Sequence, residues 1–430
     1  MIKVSNVTGN QKTIFNLKLK IAIFFHYIPV LWKGDISLRR FILLLKRLLL
    51  FVSRVQQNKF VKIDGNTRLG LYVPSFPSKA FYTACAKFSQ FSEKMPCSTV
   101  LLSITSACPY HCNYCYQKLD KGKDVELETL IRTVKKLQEM GIAFFNIEGG
   151  EPFLVYDRLK RLCAVIDDRS EIWINSTGAG MTRERLVELK EMKVTAIMFS
   201  LHSPDAVTFN RFLGADSAWD AMEAGVRMCH AAGLVVAFNT CLMKDDFYNG
   251  TFERIMEAVK DYKACLIQII KPKAAGGWLE KGEIEFTTEN LIYIKAKVNQ
   301  YNLQEEFSEY PSISAQIIEE DKAVFGCTAG GTDRFYINAK GDLQPCEFLN
   351  ISFGNIAVDK FEDIYQKMRN QFAWGAECYL CESCSGEICK LYQENNLTSL
   401  PLPPELSEEI YSSWDRGRKT DLYERLEKIK

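Results

Sequence analysis

The sequence predicts an α/β fold: a partial (β/α)6 barrel of the TIM type, preceded by a basic amphipathic helical segment and followed by a cysteine-rich domain. Three observations predict it. From Ser98 onward, short apolar runs alternate with amphipathic helical stretches. Residues 1–60 hold 11 Lys or Arg against one acid, Asp35, while the remainder holds 43 basic and 52 acidic residues. Seven of the fifteen cysteines fall into two tight local groups.

The 430 residues, 47% hydrophobic and 25% charged, exceed one average domain and can bury a sizeable core. Near the N-terminus the longest charge-free apolar run, Ile21 to Trp32, has twelve residues and is interrupted by His26 and Pro29. It reads as too short to span a bilayer, and no small-residue cleavage pattern follows it. Residues 37–56 begin with Ser37 as a helix N-cap and place Arg40, Arg47 and Arg54 on one stripe, with Arg39 and Lys46 beside them. Two readings stand for this helix: one lying in a membrane interface, or one packed on the protein's own body with its charges in water. The basic residues alternate with leucine runs rather than with stacking or polar groups, which argues against nucleic acid as a partner.

Residues 61–97 read as a connecting segment and 98–310 as the barrel. VLLSIT (100–105) is its first strand, followed by a helix marked by Leu127, Leu130, Ile131, Val134 and Leu137 and ended at Gly141. AFFNIEGG, WINST, AIMFSLH, VVAFNT and CLIQIIK follow at similar intervals. Six such strand–helix units imply a parallel sheet. After Lys271 the alternation stops, and 272–325 reads as loop and helices, with a domain boundary expected near 310–326. Residues 311–400 form the cysteine-rich domain, poor in apolar residues and expected to depend on metal for its cohesion. PLPPELSEE (401–409) links it to a final polar surface helix, completing a 401–430 unit.

In parallel α/β folds the working residues stand at the C-terminal ends of the strands. There the sequence places Cys108, Cys112 and Cys115 after the first strand, Gly149, Gly150, Glu151 and Pro152 after the second, and Asn175, Ser176 and Thr177 after the third. Ser200 and His202 follow on the fourth strand, and Asn239 and Thr240 on the fifth. Three close thiolates leave one coordination position open, unlike the closed tetrahedron of a structural zinc. A [4Fe–4S] cluster meets the count with three cysteines and one iron free for a small chelating molecule. His111, adjacent to Cys112, is poorly placed to be the fourth ligand. The cysteines Cys85, Cys97, Cys163, Cys229, Cys241 and Cys265 show no ligand spacing and read as small buried residues. A long chain with clustered thiols fits a reducing compartment, the cytoplasm, with membrane association on its cytoplasmic face under the interfacial reading of residues 37–56.

The C-x3-C-x2-C triad with Tyr114 before its third cysteine, the GGEP about 35 residues on, and the six strand–helix units in that order resemble the radical S-adenosylmethionine superfamily. The resemblance covers residues 95–275 well. It implies a cluster held by Cys108, Cys112 and Cys115, with the amino and carboxylate groups of S-adenosylmethionine on the fourth iron. It further implies that Gly149, Gly150, Glu151 and Pro152 contact the methionine amino group, and that Ser200, Ser176 or His202 bonds the ribose or methionyl part. Arg211 would pair with the carboxylate, and Asn239 would join by its strand position. An external donor such as ferredoxin or flavodoxin would supply the electron for cleavage to methionine and a 5′-deoxyadenosyl radical.

Further along, Cys327, Gly341 and Cys346 in the pattern C-x13-G-x4-C, then Cys378, Cys381, Cys384 and Cys389, resemble the SPASM or twitch extension with its auxiliary [4Fe–4S] clusters. The later four depart from the usual spacing, and six thiolates complete one four-ligand cluster but not two. The expectation is one auxiliary cluster on Cys327, Cys346 and two of the later four, against a zinc knuckle on Cys378, Cys381, Cys384 and Cys389. The resemblance points to a peptide or protein substrate. A lipid or lipid-linked substrate is the second reading, and a zinc-stabilised binding protein without activity the third. Nothing in residues 1–97 resembles a cobalamin-binding domain or a leader-peptide-binding winged helix.

Overall fold

In the computed structural model, which describes residues 2–89, 97–282 and 284–429, the six predicted strands run parallel in sequential order. They are β4 (Thr99–Ser103), β5 (Phe144–Glu148), β6 (Glu171–Ser176), β7 (Val194–Ser200), β8 (Val235–Cys241) and β9 (Leu266–Ile270). Each pairs with the next, Leu101 opposite Asn146 and Ser200 opposite Asn239. The intervening helices are α4 (Leu127–Glu139), α5 (Tyr156–Val165), α6 (Arg183–Glu191), α7 (Ala206–Leu213), α8 (Ala218–Ala232) and α9 (Thr251–Asp261). They turn apolar stripes inward, Leu130, Ile131, Val134 and Leu137 on α4 for example. Local signals set their ends: Asp205 accepts from Thr208 N at 2.9 Å to start α7, and Gly214 in the left-handed region stops it.

The sheet does not end where the sequence alternation does. After α10 (Thr288–Leu303), β10 (Ser312–Ala315) adds a further parallel strand beside β9, and α11 (Gln316–Glu319) follows. At the other edge β11 (Arg334–Ile337) pairs parallel with β4 and antiparallel with β12 (Leu343–Gln344), giving the order β10-β9-β8-β7-β6-β5-β4-β11-β12. The expected boundary near 310–326 therefore cuts a continuous sheet. SISA and RFYI are four-residue strands, too short and too polar to register as apolar runs. The cysteine-rich region, with α12 (Phe361–Gln371), α13 (Leu380–Ser383) and α14 (Ser385–Glu394), also shares the barrel's main core through Phe335, Ile337, Leu349 and Phe353. Its cohesion is not left to metal alone.

The N-terminal segment comprises β1 (Val4–Val7), α1 (Gly9–Trp32), α2 (Leu38–Arg54), β2 (Phe60–Ile63), β3 (Asn66–Arg68) and α3 (Lys79–Ala86). Residues 90–96 of the expected connecting segment lie outside the described residues. Val61, Ile63 and Leu71 pack against Phe144, Trp173, Val235 and Leu266, at or near the starts of the barrel strands. The small sheet thus closes the N-terminal end of the barrel. Arg68 forms a fully buried ion pair with Glu171, which also accepts from Trp173 Nε1 at 2.7 Å and Ser75 N at 2.9 Å.

Three expectations about the ends are corrected. Helix α1 begins at Gly9 and carries Pro29 within it, so its 24 residues are long and apolar enough to cross a membrane by length and composition alone. The twelve-residue limit held only for the charge-free part. Ser37 caps α2 as expected, accepting from Arg40 N at 3.3 Å, but the basic stripe does not all face outward. Arg47 is buried and donates to Phe88 O at 3.2 Å and Ile429 O at 2.9 Å, while Phe41, Leu44, Leu48 and Val52 pack into the protein's own core. Beyond α15 (Pro404–Tyr411), the final helix α16 (Asp421–Lys428) is no free surface element: Leu422, Tyr423 and Leu426 fill that same core.

Candidate active site

The loop between β4 and α4 carries Cys108, Cys112 and Cys115, all half-buried, and three neighbouring segments clamp it. From β5, Gly150 N donates to Thr105 O at 2.7 Å and Glu151 N to Ala107 O at 2.8 Å. From the end of α7, Leu213 O accepts from His111 N at 3.0 Å. From the loop after β9, Gly277 N donates to Cys115 O at 2.9 Å. Asp124 adds a fourth hold, accepting from Thr105 Oγ1 at 2.6 Å and from Ser106 N at 2.9 Å. Backbone bonds on both flanks fix where the thiols stand.

The glycines serve that clamp. A Cβ on Gly149 would meet Thr105 O at 2.6 Å, and one on Gly150 would meet Ala107 O at 2.2 Å. Both glycines line the cavity described below, and a side chain at either position would first meet the chain leading into the cysteine loop. Gly276 and Gly277 do the same from the other side, their added Cβ atoms falling 2.2 Å from Tyr116 O and Asn113 O. That pair went unread in the sequence, where only the doublet in AAGG marks it.

Glu151 is fully buried, and its carboxylate is spent inside the chain. It accepts from Phe153 N at 3.1 Å, Ser176 Oγ at 2.8 Å, Thr177 N at 2.7 Å and Thr177 Oγ1 at 2.5 Å. Pro152 is buried behind it. The Glu151 side chain thus braces β5 against β6, because four donors saturate its two carboxylate oxygens, and only the backbone of Glu151 and Pro152 is left for the contacts that the resemblance implies.

A cavity of about 590 Å³ opens at the C-terminal mouth of the barrel, lined by the three cysteines, Gly149 and Gly150. Ser176, Ser200, His202 and Asn239 line it as well. Ser200 and Asn239 stand side by side on β7 and β8, and Asn239 is paired in turn with Gln268 on β9. His202 is held neutral, burial pushing it down to about 3. Its Nδ1 accepts from Cys241 N at 3.0 Å, which places its proton on Nε2 as a donor. Tyr114 stacks on Phe212 at 4.3 Å and meets His202 edge-on at 4.7 Å, so the aromatic before the third cysteine forms part of the wall. Arg211 does not join the set. It lies exposed on the last turn of α7 and is absent from the cavity lining, because the inward positions of that helix belong to Phe209 and Leu213.

Several lining residues went unread in the sequence. Glu148, the last residue of β5, accepts from Tyr116 OH at 2.8 Å, Asn175 Nδ2 at 3.0 Å and Asn146 Nδ2 at 3.2 Å. Burial, aided by the nearby charge of Glu347, pushes its carboxyl up to about 8. Lys273 pairs with Glu382, which also accepts from Lys271 at 2.9 Å. This joins the loop after β9 to the helix that carries Cys381. Cys241 lines the cavity and is only partly buried, where the sequence had read a small buried residue. None of these could be found from spacing, since each depends on which strand end faces which.

The auxiliary cysteines divide. Cys381 lies within charge reach of Cys327, Lys273 and Cys346. Cys378 instead faces Asp415 and Arg416, and Cys389 neighbours Glu280. Of the later four, Cys381 lies in the field of Cys327 and Cys346, with Cys384 buried nearby in sequence, while Cys378 shares Arg416 with Cys327. The residues after Cys346, Glu347 and Phe348, line the cavity, so this second thiol group borders the first site directly. Among the described residues no three His, Cys, Asp or Glu side chains converge as a single ion requires. A cluster spreads its thiolates over several irons, one thiol to each, and the donor sets here suit it. Burial pushes the Cys108 thiol up to about 11 and that of Cys115 to about 12, so iron must displace their protons on binding.

A parallel barrel whose mouth gathers three thiols, a glycine clamp and a row of hydrogen-bonding side chains, with a second thiol group behind it, defines an iron–sulfur enzyme. Residues 102–259 match the model of the radical SAM superfamily, and residues 327–386 match that of the SPASM iron–sulfur cluster-binding domain. The chain's cofactors are accordingly a [4Fe–4S] cluster with S-adenosylmethionine and an auxiliary cluster. It is 23% identical over 330 residues to the AdoMet-dependent heme synthase of Nitratidesulfovibrio vulgaris, covering 69% of this chain and 88% of the synthase. A GTP 3′,8-cyclase of Pasteurella multocida is 30% identical over 167 residues, 37% of this chain and 49% of the cyclase. In fold it is similar to Streptococcus suis SuiB bound to the precursor peptide SuiA. That match has a TM-score of 0.54 and 14% identity, and covers 73% of this chain and 77% of SuiB.

Proposed function

We propose that the enzyme abstracts a hydrogen atom from a side chain of a peptide or protein presented at the barrel mouth. The observation that carries this reading is the size of the cavity. About 590 Å³ lies in the range that a single drug-sized ligand fills. Beside S-adenosylmethionine at the thiols, an open cavity of this size accommodates an inserted side chain. SuiB, of the same fold, binds a precursor peptide. The heme synthases and GTP cyclases are named for other substrates, so the substrate class rests on the cavity.

When bound, the cluster and S-adenosylmethionine supply a 5′-deoxyadenosyl radical after one-electron reduction by a donor such as ferredoxin or flavodoxin. The chain's own residues do the rest. Cys108, Cys112 and Cys115 would hold the cluster, and the backbone clamp fixes where their thiols stand at the cavity. Ser176, Ser200, Asn239 and the Nε2–H of neutral His202 offer hydrogen bonds to the polar parts of the cofactor. Tyr114, Phe212 and Trp278 keep water from the reacting carbon. Cys327, Cys346 and Cys381 would hold an auxiliary cluster, which would supply an electron acceptor near the cavity that Glu347 and Phe348 line. The fifteen free thiols fit a reducing cytoplasm.

The test is to reconstitute the enzyme anaerobically and supply deuterated peptide, lipid and small-molecule fractions separately, following deuterium into 5′-deoxyadenosine by mass spectrometry. Label from the peptide fraction, absent with Cys112→Ala, is the expected result. Label arising only from the lipid or small-molecule fraction refutes the substrate class, and undiminished product from Cys112→Ala refutes the chemistry.

A further inference from the structure

Helix α1 is apolar on two opposite faces. Leu19, Ile23 and Tyr27, four residues apart, are buried in the N-terminal core. At about 100° per residue, Ile14, Leu17, Ile21, Phe25 and Trp32 run along the opposite side. These are exposed, Phe25 by 63% and Trp32 by 85%. Phe24 bridges to the neighbouring helix, its ring 5.6 Å from Phe25 and 6.0 Å from Phe41, and Leu38 and Ile42 extend the apolar surface along α2. Among the described residues, nine of the twenty exposed large hydrophobic residues lie between Ile14 and Leu49, a density that isolated surface residues do not reach.

Charge surrounds this surface and has one sign. Lys18, Lys20, Lys33, Arg39, Arg40 and Lys46 are all exposed, and Asp35 is the only acid in the first sixty residues. Apolar side chains with a terminal Trp, rimmed by Lys and Arg, complement a layer of anionic headgroups over hydrocarbon. We propose that the outer face of the α1–α2 hairpin docks on an anionic phospholipid bilayer, with α1 lying in the plane of the interface.

The helix lies on the membrane and does not cross it. Crossing would pull Leu19, Ile23 and Tyr27 out of the core and break the bond from Lys12 Nζ to Asn58 O at 2.6 Å. No residue of α1 or α2 lines the cavity at the C-terminal mouth of the barrel. Docking therefore uses none of the residues that bound the cavity. On this reading α1 carries the docking, since the stripe of α2 formed by Phe41, Leu44, Leu48 and Val52 is packed in the core and only Leu38, Ile42 and Leu49 stand outside.

The test is co-sedimentation of the full, reconstituted chain with vesicles of equal parts phosphatidylcholine and phosphatidylglycerol, and with phosphatidylcholine alone. Binding is expected to the anionic vesicles at least tenfold more tightly, and to weaken with salt. Ile21→Glu with Phe25→Glu, and separately Lys18→Gln with Arg39→Gln and Arg40→Gln, are expected to weaken it at least tenfold. Both sets alter exposed side chains, so circular dichroism and iron content stay as in the wild type. Equal binding by wild type and both variant sets overturns the proposal. So does an absence of vesicle binding in a wild type whose dimer in light scattering becomes monomer with the glutamate pair, since that result assigns the face to a second copy of the chain.

Discussion

Replacing Gly150 by alanine tests the clamp on the cysteine loop without touching a thiol. Its backbone lies in a region open to any residue, so the whole effect comes from space. The new Cβ would sit 2.2 Å from Ala107 O, against a floor of 3.0 Å for real contacts, so β5 and the loop must part by about 0.8 Å. The 2.7 Å bond from Gly150 N to Thr105 O stretches with them. Overpacking of this kind costs about 1–3 kcal/mol. The larger consequence is positional, since Cys108 follows Ala107 directly and a displacement near 1 Å at a reacting centre is worth roughly 10²-fold in rate. After anaerobic reconstitution, Gly150→Ala should hold less iron than wild type and form 5′-deoxyadenosine at least tenfold more slowly. Gly386→Ala is the control: nothing lies within 4 Å of its added Cβ, it is helical, and the change should leave activity intact and add up to about 1 kcal/mol of stability. If Gly150→Ala keeps both cluster and rate within twofold, the clamp does not position the thiols.

Three other outcomes follow from the same geometry. Glu171→Ala leaves Arg68 buried without its carboxylate and should cost about 3–5 kcal/mol in chemical denaturation, far more than loss of the exposed Lys123–Glu126 pair. Glu148 carries a folded-state carboxyl near 8, above its unfolded value near 4.3, so the native chain binds the extra proton between them. Wild-type stability should accordingly fall as pH rises from 5 to 8, and Glu148→Gln should flatten that part of the profile; an unchanged slope would show that another group is responsible. Cys381→Ala should remove about one cluster's iron and leave the triad's absorbance, while Cys389→Ala should lose less. Equal losses from both would place Cys389 in the auxiliary site.

The alternation of apolar runs named all six inner strands and their order, because burial on both faces of a parallel sheet writes itself as continuous apolar sequence. The triad and GGEP were legible because their spacing is local: three thiols within eight residues share one loop in any fold. The edge strands were not legible, since SISA and RFYI earn their place by pairing with β9 and β4 and not by composition. Sequence alone likewise left Arg211 among the cofactor contacts, where helix rotation turns it to solvent, and kept Arg47 in a solvated stripe, where it reaches the carbonyl of Ile429.

What the sequence determined by itself was the class of chemistry, which depends on residue types at short separations. What only the tertiary structure decided was which distant residues share that chemistry. It brings Glu148 to Tyr116 and Asn175, Cys381 to Cys327 and Cys346, and Lys273 to Glu382. It also shows that the apolar helix α1 keeps one face for the core and one for the outside. Those pairings are set by how a parallel sheet closes and which loops meet at its mouth, and no one-dimensional pattern carries that information.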